Sequence, residues 1–103
     1  MIKSSGLLAV NALIFTGNCR LIGVSFTGDI ASIITLTVYD NITTTAAATT
    51  PIVAYLRASS VTDDKANPTI NIMFPKEGLL CSTGLYAALS GTTGKYIIYY
   101  EIL

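Results

Sequence analysis

The stretch Lys95-Tyr-Ile-Ile-Tyr-Tyr-Glu-Ile-Leu103 decides how this chain folds. Read with a period of two, it places Tyr96, Ile98, Tyr100 and Ile102 on one face. Lys95, Ile97, Tyr99, Glu101 and Leu103 fall on the other. Alternate residues of a strand point to opposite sides, whereas a helical stripe would recur about every 3.6 residues. β-Branched and aromatic side chains also suit a pleated, half-buried surface. The segment therefore reads as a strand with one wholly apolar or aromatic face and a second face that is still half apolar.

Working back from it, Ser90-Gly-Thr-Thr-Gly94 supplies a hairpin turn, preceded by short strands at Gly84 to Leu89 and Leu79 to Ser82. Pro75-Lys-Glu-Gly78 is a turn after a strand from Thr69 to Phe74, with Ile70, Ile72 and Phe74 inward. A loop from Ser59 to Pro68 carries Asp63-Asp64-Lys65, and Ile52 to Ala58 is a strand before it. Ala31 to Tyr39 is another strand, with Ile34, Leu36 and Val38 inward. The turn Gly28-Asp29 joins it to Cys19 to Thr27, where Ile22, Val24 and Phe26 share a face. The first strand spans Leu7 to Phe15 and ends at Thr16-Gly17-Asn18. About eight short strands punctuated by turn residues predict one all-β domain over residues 1–103, a small antiparallel sandwich or barrel.

Composition says how such a domain lives. The chain is 51% hydrophobic and only 12% charged, with zero formal net charge and mean hydropathy +0.61. Globular domains usually carry about 25% charged residues. A membrane helix would need about 20 consecutive apolar residues, and the longest candidate, Gly6 to Phe15, is broken by Asn11. The expectation is a domain outside the membrane whose outer faces are covered by partner subunits. Ile33, Thr35, Thr37 and Tyr39 lie opposite the core residues of their strand, and Ile97 and Tyr99 do so on the last strand. A free monomer normally carries charges there, so these six are the candidate subunit interface. The plainer alternative is that both strands are central and covered by loops. The uncharged run of small residues after Asp40, up to Pro51, is either a hairpin tip or an arm that orders against a neighbour.

Gly6 to Phe15 after Lys3 has the look of a signal peptide, but no Ala-x-Ala site follows, and Asn18 sits where a lipoprotein box needs a small residue. A β-strand of a protein made in the cytosol is expected instead. The spacing of Cys19 and Cys81 fits neither a thioredoxin-like pair nor a metal knuckle. They are expected to be buried thiols in a reducing compartment, with a disulfide between them as the alternative. Asn41-Ile-Thr43 matches a glycosylation pattern that means little without secretion.

Chemistry is hard to build from these residues. There is no histidine, which removes Ser-His and Cys-His nucleophile pairs and imidazole ligands. Asp63 and Asp64 are adjacent, not placed across a sugar cleft. A calcium site there has no EF-hand spacing to support it. Ser90-Gly-Thr-Thr-Gly-Lys95 leads into a strand and so lacks the helix N-terminus of a phosphate loop. The six Lys and Arg residues form no basic stripe, which argues against nucleic acid. No enzyme activity and no cofactor are expected.

Two segments carry a resemblance: Ile34-Thr-Leu-Thr-Val-Tyr-Asp-Asn41, and Gly78-Leu-Leu-Cys-Ser-Thr-Gly-Leu-Tyr86 leading through a Ser-Gly turn to the Tyr-rich last strand. In this pattern the chain resembles small structural proteins of tailed bacteriophages, of the head-decoration and head-fibre kind. The resemblance covers roughly the last two-thirds of the chain. Cys81 and the very apolar last strand depart from the pattern. It implies a β-sandwich of jelly-roll type, a place on the virion, and the major capsid protein or another virion protein as partner. A capsid decoration or cement protein, assembling as a homo-oligomer with a trimer as the expected form, is the leading functional expectation. The alternative is a head-fibre, spike or tail-associated receptor-binding module; the absence of Trp weighs against a glycan platform.

Overall fold

The computed structural model describes residues 2–28, 33–42, 52–58, 69–74, 78–90 and 94–103. Among them lie nine strands: β1 (Ile2–Ser4), β2 (Ala12–Thr16), β3 (Cys19–Thr27), β4 (Ile34–Tyr39), β5 (Ile52–Ala58), β6 (Thr69–Met73), β7 (Leu79–Cys81), β8 (Gly84–Ser90) and β9 (Lys95–Ile102). They form two antiparallel sheets. The first has the order β1-β9-β3-β6, with β7 also paired to β3, and the second the order β2-β8-β4-β5. Apart from the neighbours β4/β5 and β6/β7, successive strands cross from one sheet to the other, the double Greek-key wrap of a jelly roll. The expected all-β antiparallel sandwich is what forms.

β6 and β7 are two pieces of one edge. β6 pairs Gly23 to Thr27 of β3, and β7 continues along the same side opposite Cys19 to Leu21. Just beyond β6 the Phe74 N–H still reaches the Ile22 carbonyl, and Gly78, just before β7, has φ +68. A Cβ at Gly78 would lie 2.7 Å from the Leu21 carbonyl oxygen, so close approach and backbone both require glycine there.

The core fills the space between the sheets, which pack about 10 Å apart. Leu21, Val24, Phe26, Tyr96 and Ile98 from the first sheet meet Ile34, Leu36, Val38, Leu56, Leu85 and Ala87 from the second. On β4, Ile34, Leu36 and Val38 are buried, as the alternation predicts.

Three details depart from simple alternation. The register of β3 against β9 jumps between Leu21 and Gly23, so one extra residue sits in β3. That bulge moves the inward set from Cys19 and Leu21 to Val24 and Phe26, and Ile22 is therefore only half-buried, off the inward row. Ile72 is the register partner of the buried Val24, yet stays 37% exposed, because β6 is an edge strand. The segment read as one strand from Leu7 to Phe15 serves both sheets. Leu8 makes a single bridge to Tyr96 in the first, and β2 pairs β8 in the second. Asn11 marks the crossing by accepting the Leu89 N–H at 2.7 Å. The strand Ile2–Ser4 was invisible to a reading that began at Leu7. Residues 29–32, 43–51, 59–68, 75–77 and 91–93, with the arm beyond Ile42, Asp63-Asp64-Lys65 and most of three turns, lie outside the described residues, as does Thr43 of the glycosylation pattern.

Candidate interaction surface

Register partners on neighbouring strands share a face of a sheet, so the pairing defines each outer surface row by row. On the first sheet one row runs Ile2, Glu101, Arg20, Leu80. The next runs Ser4, Tyr99, Gly23, Met73, and a third Ile97, Ser25, Asn71. Ile2, Met73 and Leu80 are 55%, 67% and 68% exposed. They flank an Arg20–Glu101 ion pair of 3.4 Å, which removes the net charge from the middle of the face. Ser25 hydrogen-bonds Asn71 across the third row. A fourth row, Lys95, Thr27 and Thr69, adds one exposed cation at the end, so the face is an apolar band around one neutralised pair with a single charge at its limit.

On the outer side of the second sheet Ile52, Tyr39, Tyr86 and Leu13 share one row, in which Tyr86 is itself buried, Tyr55, Thr37 and Ala88 the next, and Arg57, Thr35 and Ser90 the third. Ile52 joins the outward row because the β4–β5 register shifts between Val38 and Tyr39. Arg57 is the one charged residue in these three rows. Thr35 is tied down by Ser90, whose Oγ accepts the Thr35 N–H at 3.1 Å.

The six residues expected to form one interface thus divide. Thr35, Thr37 and Tyr39 lie on the outer face of the second sheet, with the 54% exposed Ile33 just ahead of β4. Ile97 and Tyr99 lie on the outer face of the first. β4 and β9 are both inner strands, but of different sheets, so these groups point in opposite directions. Sequence reading missed Ile2, Met73 and Leu80 on one face and Ile52 and Tyr55 on the other. The signal for Tyr55 was present: with Ala54, Leu56 and Ala58 buried, alternation sends Tyr55 and Arg57 outward. Met73 carried the same signal, since it alternates with Ile70, Ile72 and Phe74, which read inward; none existed for Leu80, whose direction depends on how β7 joins β3.

Between the faces, one polar device holds the fold at the end of β4. Asp40 Oδ1 accepts the Thr83 N–H at 2.8 Å and the Gly84 N–H at 3.1 Å, and Oδ2 accepts the Ser82 N–H at 3.1 Å. Burial would raise its carboxyl pKa, but the donors outweigh it and hold Asp40 below the ordinary carboxylate value of 3.8. This is the meeting point of the two segments that carry the resemblance: Tyr39 and Tyr86 pair in register with ring centroids 6.2 Å apart, and Asp40 clamps Ser82 to Gly84. Both patterns have a structural explanation in this clamp and ring pair.

Among the described residues no group of three or more His, Cys, Asp or Glu could hold a metal, and no helix is long and apolar enough to cross a membrane. Comparison with protein-family profiles, with curated proteins and with solved structures finds no match to this chain.

Proposed function

We propose that this chain is a non-enzymatic structural subunit of a tailed-phage virion, a decoration or cement protein that bridges capsid subunits. One observation carries the reading: a small jelly roll presents two opposed sheet faces that are nearly free of net charge and hold exposed Ile, Leu, Met and Tyr. A single such patch would suit a simple dimer. Two patches on opposite sides suit a molecule held between neighbours, which is what stitching a shell requires. Adhesion would come from apolar area removed from water, about 25 cal/mol per Å² before association costs, with Tyr55 and Tyr99 adding hydrogen bonds at the rim. Its partners in this reading are the major capsid protein or another virion protein, and further copies of itself, a trimer being the simplest closed ring at a threefold position.

The experiment is to count copies per particle and to heat particles with and without the protein. Hundreds of copies, and earlier loss of shell integrity without them, would support a cement protein. A few copies, with free protein blocking adsorption, would replace it with the receptor-binding reading, which the 61% exposed Tyr55 beside Arg57 favours as an aromatic platform. A purified chain that stays a single copy at high concentration and binds no particle would refute both.

A further inference from the structure

Cys19 and Cys81 are direct register partners where β7 pairs β3, and both are fully buried free thiols. Opposed residues of an antiparallel pair have Cα atoms about 4.5 or 5.5 Å apart, depending on the class of pair. Disulfides span about 4.4–6.8 Å, so either class fits. Because register partners share a face, their side chains converge, and the two thiols already interact directly.

We propose that Cys19 and Cys81 form an oxidisable pair, a latent cross-strand disulfide that pins β7 to β3. β7 has only three residues and leads straight into the turn that Asp40 holds, so it is the short strand with most to gain from a covalent tie. The oxidant is a hydroperoxide. The Cys19 thiolate attacks one peroxide oxygen; an S–O bond forms, the O–O bond breaks, and the departing oxygen leaves as hydroxide or alkoxide and takes up a proton. The Cys81 sulfur then attacks the sulfenic sulfur of Cys19; the S–S bond forms, the S–O bond breaks, and water leaves carrying the Cys81 proton. Two thiols are oxidised and one hydroperoxide is reduced.

The folded protein guards this step. Burial, the neighbouring Cys19 and the Asp40 carboxylate push Cys81 up to about 12, and burial and Asp40 also raise Cys19. Little thiolate exists at neutral pH, so closure is slow until β7 opens. The inference stands on the pairing alone and is independent of the function proposed above.

The test uses the full chain in two arms. One is treated with hydrogen peroxide while folded, with and without mild urea; the other is refolded from denaturant in an oxidising glutathione buffer. The expected product has lost two hydrogens in intact mass, takes up no iodoacetamide after denaturation, and yields a Cys19–Cys81 linked peptide. Its formation is independent of protein concentration and faster in urea. Closing a loop of about 60 residues raises Tm by roughly 15 °C, reversibly with reductant. In Cys81→Ser the mass change disappears. Two free thiols after oxidative refolding, disulfide-linked dimers as the main product, or a linked product whose Tm is not raised would each overturn the proposal.

Discussion

Replacing Tyr86 by Phe is expected to stabilise this protein, and the same replacement at Tyr96 to weaken it, although both side chains are equally buried. Tyr96 Oη donates to the Val10 carbonyl at 2.6 Å. The Tyr86 hydroxyl is buried with no hydrogen-bond partner among the described residues. Hiding a hydroxyl from water without a partner costs about 1–3 kcal/mol in protein mutational data. Removing one oxygen also leaves a small gap and loses a little dispersion, so the net gain for Tyr86→Phe is about 1 kcal/mol. Tyr96→Phe loses a net hydrogen bond of about 0.5–1.5 kcal/mol. The exposed Val10 can regain water at its carbonyl, which keeps the loss near the middle of that range. For a domain of this size 1 kcal/mol moves Tm by about 4 °C. With a urea slope of about 1–3 kcal/mol/M it moves the midpoint by about 0.3–1 M. Urea unfolding of the wild type and both variants reads the two signs directly, provided the slope stays constant. A lower midpoint for Tyr86→Phe would refute the reasoning, since it would mean that the hydroxyl has a partner worth more than its burial costs.

Four further outcomes follow from the same structure. Asp40→Ala should cost about 1–3 kcal/mol by leaving the Ser82, Thr83 and Gly84 N–H groups without their acceptor. Because the carboxyl pKa of Asp40 is lowered in the fold, that contribution is present above 3.8 and is lost as pH falls through the folded value, so wild type and variant should converge in acid urea melts. At the alkaline end Cys81 and Tyr96 are each raised to about 12 from ordinary values of 9.0 and 10.0, so the folded state holds those protons more tightly. Stability should be level below about 9 and fall as pH rises toward 12, with a shallower fall in Cys81→Ser. Gly23→Ala should destabilise by about 1–3 kcal/mol, because the new Cβ would lie 2.5 Å from Met73 Sδ and 2.7 Å from the Ile72 carbonyl oxygen, and backbone cannot swing aside. Leu80→Glu on one face and Tyr55→Glu on the other should each leave the melting curve within about 0.5 kcal/mol, yet each should abolish bridging in a particle-binding assay. Binding unchanged by both would place the contact away from the sheet faces.

The sequence by itself determined the strand content, most strand positions and the shortage of charge. Ile52–Ala58 and Cys19–Thr27 could be delimited from their alternating or β-rich runs and the turn residues around them, because side-chain direction in a strand is a local property with period two. It also left little material for chemistry, since a chain without histidine has few ways to activate a hydroxyl or thiol. Tertiary structure alone decided which strands share a sheet. That pairing put Ile97 and Tyr99 on the side opposite Thr37 and Tyr39, brought Asp40 to a turn some forty residues away, and set Cys19 against Cys81. It also placed one unpaired residue in β3, reversing the inward set beyond Leu21 and sending Ile22 off the inward row. Such facts depend on the register between distant strands. Register minimises the energy of the whole sandwich, and no stretch of neighbouring residues carries enough of that energy to reveal it.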